Sequence, residues 1–266
     1  MTSMNHQFDN LDEAIEVAVV VPTLNESGNI GRLLDGILSA DPRLVAIVVD
    51  DGSHDGTDTI VLERAEQEKA KGRARVHLIE RGRKMGYASA VQDGMQLAMR
   101  GGARLILQMD ADFSHDPKYL PALLVKSVDC DLVVGSRYVP SGGTRNWGMD
   151  RKILSAGANA LARTLLKLPV RDCTSGFRCW KRELIERAGV LDIHVEGYAF
   201  LFIASDKVRQ TGARIGEVPI IFVDREYGKS KMSRRIVLEA VRVLVRLSLQ
   251  RLRPTKLSAV KQIADS

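Results

Sequence analysis

Three acidic segments of the sequence each follow an apolar run, and their residue types suit a metal ion held beside a diphosphate. They are centred on Glu26, on the pair Asp50 and Asp51, and on the pair Asp110 and Asp112. Packed carboxylates repel one another unless a cation or hydrogen-bond donors compensate. Asp110, Asp112 and Ser114 occupy alternate positions, and their oxygen atoms suit Mg²⁺ or Mn²⁺, which substrate phosphates often share. The pattern therefore predicts a metal-assisted site for a molecule that carries a diphosphate.

The elements that would position these residues alternate between apolar runs and amphipathic segments. The predicted strands are 17–21, 44–49, 75–79, 104–109 and 131–134, and the predicted helices are 28–38, 57–69, 87–99 and 117–125. This alternation is typical of an α/β fold with a mostly parallel, Rossmann-like sheet and helices on both faces. Such sheets bind ligands beyond the carboxyl ends of their strands. We therefore expect the first, second and fourth strands to be neighbours whose acidic segments converge on one cleft.

The second half of the chain departs from this repeat. We predict a polar loop at 136–148, a helix at 149–167, a turn-rich segment at 172–178 and a strand at 213–219. Residues 232–253 form a basic amphipathic pattern, with arginines on one line of a helical wheel and apolar residues around most of the rest. Such a helix can lie on an anionic membrane surface, dock to a membrane-protein partner or pack on its own domain.

These patterns divide the chain into four parts. We predict an N-terminal extension at 1–16, one α/β domain at 17–231, the amphipathic helix at 232–253 and a disordered tail at 254–266. Residues 1–16 lack the apolar core of a signal peptide, and no uncharged apolar stretch reaches the length of about 18 residues that spans a bilayer. We therefore expect a cytoplasmic protein that is peripheral at the cytoplasmic face of a membrane.

Charge and cysteine content narrow the possible partners. The net charge of +6 suggests a polyanionic partner, which could be nucleic acid, anionic lipid or a phosphorylated ligand. The three cysteines are odd in number and form no Cys-x-x-Cys pair, which argues against a disulfide framework or a zinc site. We find no nucleic-acid-binding module, and the acidic clusters would repel a polyanion, so we expect no nucleic-acid partner.

Several segments carry a family resemblance that covers roughly residues 17–232. The segments 21–26, 49–57 and 108–117, which read VPTLNE, VDDGSHDGT and QMDADFSHDP, resemble the family-2 inverting glycosyltransferases with the GT-A fold. Later segments resemble the polyprenol (dolichol) monophosphate mannose synthases: GSRY at 135–138, TSGFR at 174–178, EGY at 196–198 and REYGKSK at 225–231. The resemblance implies inverting transfer of mannose from GDP-mannose to a polyprenyl monophosphate, with Mg²⁺ or Mn²⁺ as cofactor.

The resemblance also implies roles for individual residues. Residues that match the nucleotide-sugar donor site are Pro22, Leu24, Glu26, Val49, Asp51, Asp110, Ala111, Asp112, Arg225 and Lys231. Residues that match the acceptor-phosphate site are Arg137, Arg151 and Ser155, and those that match the metal ligands are Asp112 and Ser114. Asp110, Asp112 and Arg225 match the catalytic group. We expect neither His54 nor His115 to act as a catalytic base, because a phosphate monoester is already largely ionised near neutral pH.

Other activities remain open at this stage. A polyprenyl-phosphate glucosyltransferase that uses UDP-glucose would share the fold and most of the motifs, because the base and the sugar are chosen by the shape of the pocket. A processive polysaccharide synthase is disfavoured, since the sequence has no Gln-x-x-Arg-Trp motif and no spanning helices. The non-enzyme alternative is a basic nucleic-acid-binding protein, which the acidic clusters oppose.

Overall fold

The structure is a computed structural model that describes residues 14–195, 197 and 199–223, except for the side chains of residues 150, 151 and 154. The strands are β1 (Val17–Thr23), β2 (Leu44–Asp50), β3 (Val76–Glu80), β4 (Leu105–Gln108), β5 (Leu132–Ser136), β6 (Gly143–Arg145), β7 (Arg178–Lys181), β8 (Ile215–Pro219) and β9 (Ile221–Val223). The helices are α1 (Ser27–Ala40), α2 (Thr57–Ala70), α3 (Tyr87–Arg100), α4 (Leu120–Lys126), α5 (Met149–Leu166), α6 (Arg182–Arg187) and α7 (Ala199–Gln210). The predicted helix at 232–253 lies outside the described residues.

A central seven-stranded sheet carries the fold, in the strand order β3-β2-β1-β4-β7-β5-β8. The prediction that the first, second and fourth strands are neighbours is confirmed, because β1 pairs in parallel with both β2 and β4. The mostly parallel sheet with helices on both faces is confirmed as well. The predicted strands and helices of residues 17–134 all form, with ends shifted by a few residues.

The sequence patterns did not reveal β7, which is antiparallel and lies between β4 and β5. Its first residue, Arg178, is in register with Gln108 of β4 and Val134 of β5. The amino end of β7 therefore lies beside the carboxyl ends of its two neighbours. As a result, the turn-rich segment that precedes β7 reaches the same edge of the sheet as the acidic segments.

Alternating residues of the buried strands supply two cores, one on each face of the sheet. Val19 and Val21 of β1 face the core that contains the apolar residues of α1 and α4, whereas Val20 faces the core that contains those of α3 and α7. The predicted loop at 136–148 contains the short strand β6, which pairs in parallel with β9 in a separate two-stranded sheet. No helix in the described ranges is both long enough and apolar enough to cross a membrane.

Candidate functional site

The acidic segments converge at the carboxyl edge of the sheet, as the sequence predicted. Thr23 at the end of β1 is in register with Asp50 at the end of β2, and the Thr23 hydroxyl lies 3.2 Å from the Asp50 carboxylate. Val20 of β1 is in register with Gln108 of β4, so Asp110 comes level with the end of β1. The three segments therefore lie side by side at this edge of the sheet.

Asp51 holds the loop between β3 and α3. Its two carboxylate oxygens accept hydrogen bonds from the backbone amides of Met85 (2.7 Å) and Gly86 (2.9 Å). The buried guanidinium of Arg81 lies 3.3 Å from the same carboxylate. The match of Asp51 to the nucleotide-sugar donor site stays a prediction, and in this structure Asp51 would shape that site through the loop it anchors.

The other residues that match the donor site line the ends of β1, β2 and β4. Val49 and Ala111 are buried, and Pro22, Leu24 and Asp110 are half-buried. Glu26 begins α1, where its carboxylate accepts a hydrogen bond from the Asn29 side chain (2.9 Å). Arg225 and Lys231 lie outside the described residues, so their matched roles stay predictions.

The Asp110–Ser114 segment supplies the oxygen atoms that could hold a divalent cation. Asp112 is buried, and its carboxylate accepts hydrogen bonds from the Ser114 hydroxyl (2.5 Å) and the Ser114 backbone amide (3.1 Å). Within the described ranges, no three His, Cys, Asp or Glu side chains are grouped to hold a metal ion. Mg²⁺ sites commonly use one or two carboxylates and complete their shell with substrate phosphates and water. This donor set therefore fits Mg²⁺ or Mn²⁺ that binds together with a diphosphate.

The side chain of His115 holds the backbone of the Asp110–Ser114 segment. Its Nδ1 accepts a hydrogen bond from the Asp110 backbone amide at 3.0 Å, which requires a ring that is unprotonated at Nδ1. Burial lowers the pKa of His115 and so favours the neutral ring. The ring stacks on Phe177 with centroids 5.0 Å apart and meets the edge of Phe222 at 5.7 Å. His115 thus has a structural role in the Asp110–Ser114 segment, and its exclusion as a catalytic base stays a prediction.

Arg137, matched to the acceptor phosphate, is buried in an ion pair that the sequence did not predict. Its Nε and Nη2 atoms donate to the two carboxylate oxygens of Asp172, each at 2.7 Å, and Nη2 also donates to the Thr174 hydroxyl (2.6 Å). Burial alone would raise the pKa of Asp172, but the charge and hydrogen bonds of Arg137 outweigh it and lower that pKa. The guanidinium is therefore held in one orientation before any ligand binds.

Aromatic rings surround the same guanidinium. Its carbon lies 5.4 Å from the ring centroids of Tyr138 and Trp147 and 5.2 Å from that of Phe222. The Tyr138 hydroxyl donates to the Ser155 hydroxyl at 2.8 Å, which brings Ser155 of α5 to this cluster. Arg151 lies one turn earlier on α5, and its side chain is outside the described atoms.

Asp172, Thr174 and Gly176 were absent from the predicted site, although two of them lie in the quoted TSGFR segment. The missing signal was the reversed direction of β7, which brings the turn before it to the carboxyl edge. A Cβ on Gly176 would lie 3.5 Å from a carboxylate oxygen of Asp110 and 2.7 Å from the Tyr87 hydroxyl. The short distance is the one to the Tyr87 hydroxyl, whereas 3.5 Å from Asp110 is an ordinary van der Waals contact, so the turn lies against the donor side as well as against Arg137.

The chain is similar in sequence to a known family and to named proteins. The chain matches "Glycosyl transferase family 2" over residues 18–189. It is 38% identical to the polyprenol monophosphomannose synthase of Mycolicibacterium smegmatis over 84% of this chain and 83% of that protein. It is 37% identical to the undecaprenyl-phosphate mannosyltransferase of Micrococcus luteus over 85% of this chain and 91% of that protein.

Solved structures share the fold at lower sequence identity. Glucosyl-3-phosphoglycerate synthase from Mycobacterium tuberculosis, in complex with Mn²⁺, uridine diphosphate and phosphoglyceric acid, has a TM-score of 0.61 and 20% identity over 94% of this chain and 80% of that chain. The complex of that enzyme with Mn²⁺ and UDP-glucose has a TM-score of 0.58 and 20% identity over 89% of this chain and 78% of that chain. From its motifs, its fold and its similarity to these relatives, the chain is a member of glycosyl transferase family 2.

Proposed function

We propose that this protein transfers mannose from GDP-mannose to a polyprenyl monophosphate, with inversion, in a reaction that depends on Mg²⁺ or Mn²⁺. Two relatives at 37–38% identity are named for mannose transfer to polyprenol phosphates, and the alignments cover most of each chain. Solved structures with the same fold bind Mn²⁺ together with uridine diphosphate or UDP-glucose. These similarities support a nucleotide-sugar donor, a divalent cation and a lipid-phosphate acceptor.

The observation that carries the proposal is the juxtaposition of an acidic segment and a buried arginine at one sheet edge. His115 and Phe222 connect the two groups: His115 accepts from the Asp110 amide, its ring meets Phe222, and the Phe222 ring lies 5.2 Å from the Arg137 guanidinium. A cation-assisted diphosphate and an anionic acceptor could therefore bind side by side. This arrangement suits transfer of a group from a diphosphate to a phosphate.

The proposed chemistry is a single displacement at the anomeric carbon. A phosphate oxygen of the acceptor forms the new bond to that carbon, and the bond to the diphosphate breaks, with its electron pair leaving on GDP. The protein's task is to hold two anions close together and in line, because positioning and electrostatic stabilisation account for most of such catalysis. Arg137 and Ser155 would orient the acceptor phosphate, and Arg225 and Lys231 would hold the donor phosphates.

When bound, the divalent cation would offset the negative charge that develops on the departing diphosphate. Asp112 and Ser114 would hold it, with Asp110 beside them. A ligand set of this size leaves room for phosphate oxygens of the donor, so we expect the cation to bind more tightly with GDP-mannose than alone.

If the acceptor is a lipid, the transfer reaction takes place at a membrane surface. We propose that it is peripheral at the cytoplasmic face, where the donor is water-soluble and the acceptor phosphate is exposed at the surface. The basic residues of 232–253 would supply attraction to anionic lipid, or a membrane-protein partner would hold the enzyme there.

A transfer assay tests the proposal. Purified protein is mixed with a polyprenyl monophosphate, Mg²⁺ or Mn²⁺, and radiolabelled GDP-mannose or UDP-glucose in parallel, and label is counted in the organic phase. We expect label from GDP-mannose, which is lost with EDTA and in the Asp112→Ala variant. The exposed Asp129, replaced by Ala, serves as the matched control and should keep full activity.

The alternative outcomes separate the parts of the proposal. Label from UDP-glucose alone would retain the lipid phosphate and overturn the choice of sugar donor. Full activity of Asp112→Ala would overturn the metal assignment. Absence of label from both donors, in detergent and in vesicles, would overturn the lipid-phosphate acceptor.

A further inference from the structure

We propose that Arg178, at the start of β7, is a positioning residue that orients Arg137 for the acceptor by fixing the turn formed by residues 172–176. The inference deepens the proposed function, because Arg137 is assigned there to the acceptor phosphate. The hydrogen bonds of the Arg178 side chain reach neither Arg137 nor the Asp110–Ser114 segment. Its effect on Arg137 would therefore pass through the backbone of the turn.

The guanidinium of Arg178 binds backbone carbonyls on two elements. Nε donates to the Ser175 carbonyl at 2.9 Å, and Nη2 donates to the Cys173 carbonyl at 3.1 Å and the Leu201 carbonyl at 3.3 Å. The first two carbonyls flank Thr174, and the third belongs to the first turn of α7. One rigid planar group therefore ties the turn to a helix of the domain, which a lysine or glutamine side chain could not do with the same geometry.

The stability of the fold does not by itself explain an arginine at this position. The side chain is completely buried, and burial lowers the pKa of Arg178 to about 10. Within the part of the chain that the structure describes, the Trp180 ring, 5.5 Å from the guanidinium carbon, takes the place of a carboxylate partner for Arg178, and the Nη1 atom has no hydrogen-bond partner. A buried cation without a carboxylate is costly, and an apolar side chain of similar volume would avoid that cost.

The turn that Arg178 holds is what orients Arg137. Asp172 accepts from Nε, Nη2 and the backbone amide of Arg137, and Thr174 accepts from Nη2. Thr174 also donates to Asp172 at 3.1 Å. A shift of the turn would therefore move both groups that set the direction of the guanidinium.

The test compares Arg178→Met and Arg178→Lys with the wild type and with Arg182→Met. Arg182 is the matched control, because its guanidinium also donates to a backbone carbonyl, that of Met99 (3.0 Å), but at the opposite end of β7. For each protein we would measure the melting temperature, kcat, the KM values for donor and acceptor, and amide hydrogen exchange by mass spectrometry.

For both Arg178 variants we expect faster exchange of the amides of 172–177 and an acceptor KM raised by about tenfold, since a misplacement of about 1 Å in a positioning group can cost up to ~100-fold. The donor KM should rise less than the acceptor KM, because Asp172 and Thr174 of the turn bind Arg137 directly, whereas at Gly176 the turn is only in van der Waals range of Asp110. Lysine should not rescue the acceptor KM, because it keeps the charge but not the planar fork. Arg182→Met should leave the exchange of 172–177 and both KM values unchanged.

Two results would overturn the inference. If the amides of residues 172–177 exchange at the same rate in Arg178→Met as in the wild type, Arg178 does not fix the turn. If these amides exchange faster but the acceptor KM is unchanged, the role of Arg178 is purely structural. The same conclusion follows if Arg182→Met loses as much function at the same melting temperature. A wild type without mannose transfer would instead refute the proposed function, and the exchange data would still judge whether Arg178 fixes the turn.

Discussion

At the scale of single residues, the ion pair between Arg137 and Asp172 changes how the acceptor site is understood. Arg137 was predicted from the sequence as a site residue, but its partner Asp172 was not. Nothing in the spacing of residues 137 and 172 links them until β7 is known to be antiparallel. Asp172 is itself fixed, since its backbone amide donates to Glu217 of β8 at 3.1 Å. A buried carboxylate thus holds the cation that an incoming phosphate would contact.

We predict strong energetic coupling between Arg137 and Asp172. Removing one partner of a buried pair costs about 3–5 kcal/mol, because the other charge is left uncompensated. Asp172→Asn and Arg137→Met should each be strongly destabilising, and the double variant should lose less stability than the sum of the two by about 1–3 kcal/mol. Urea unfolding of all four proteins measures this difference. Additive losses would show that the pair contributes no mutual stabilisation.

At the scale of elements, the predictions from sequence were reliable where one pattern repeats. The strands of residues 17–134 are short apolar runs with turn residues at their ends, so their existence, order and parallel direction followed directly. The antiparallel β7 did not, because Arg178, Cys179, Trp180 and Lys181 mix a buried charge with large and small side chains and show no strand period. The sequence therefore predicted that the segments after β1, β2 and β4 meet at one edge of the sheet, but it did not predict the partners of Arg137.

Helix α3 approaches the sheet closely because it has a glycine at its inner face. A Cβ on Gly94 would overlap the Val20 side chain and lie 3.1 Å from Val49. We expect Gly94→Ala to lower the free energy of unfolding by about 1–3 kcal/mol, the usual range for overpacking. Gly157→Ala on α5 is the matched control, because a Cβ there meets nothing within 4 Å and alanine favours a helix. Equal stability of the two variants would contradict this account.

The first turns of α1 and α2 share one carboxylate, that of Asp55. It accepts from the backbone amide of Ser27 (3.0 Å) and from the amide (3.1 Å) and hydroxyl (2.6 Å) of Thr57. Partial burial alone would raise the pKa of Asp55, but the hydrogen bonds from Thr57 and Ser27 outweigh it and lower the pKa to about 2.

This carboxylate should make part of the stability depend on acid pH. An aspartate in the unfolded chain has a pKa of about 3.9, so between about pH 4 and pH 2 the unfolded state binds the extra proton. The contribution of Asp55 is then present above about pH 4 and is lost as the pH falls toward 2. Urea midpoints of the wild type should fall more between pH 5 and pH 3 than those of Asp55→Asn. The exposed Asp129→Asn should follow the wild type; parallel curves for all three would refute the assignment.

At the scale of the whole molecule, the chain combines an acidic cleft with a net charge of +6. Residues 232–253 contain six arginines and one glutamate, so they are one concentrated source of the positive excess. Charges near an anionic bilayer contribute about 1 kcal/mol each, and salt screens them.

We predict that replacing Arg235, Arg242 and Arg246 with Gln reduces binding to vesicles of mixed phosphatidylcholine and phosphatidylglycerol by up to ~100-fold, at about 1 kcal/mol per charge. Co-sedimentation measures the bound fraction. The control replaces Arg73, Arg104 and Arg187, which are exposed and change the net charge equally. Equal loss in both variants would mean that net charge, and not residues 232–253, governs the binding.

The position of β7 also sets the order in which the sheet can form as the chain leaves the ribosome. Residues up to β4 can assemble four parallel strands, but the outer edge of β4 stays unpaired until β7 has been synthesised some seventy residues later. The strand β5 must wait as well, because its neighbours in the sheet are β7 and β8. An open, apolar strand edge is a site for mispairing with other chains. While the stretch between β4 and β7 is translated, the outer edge of β4 is therefore open to such mispairing.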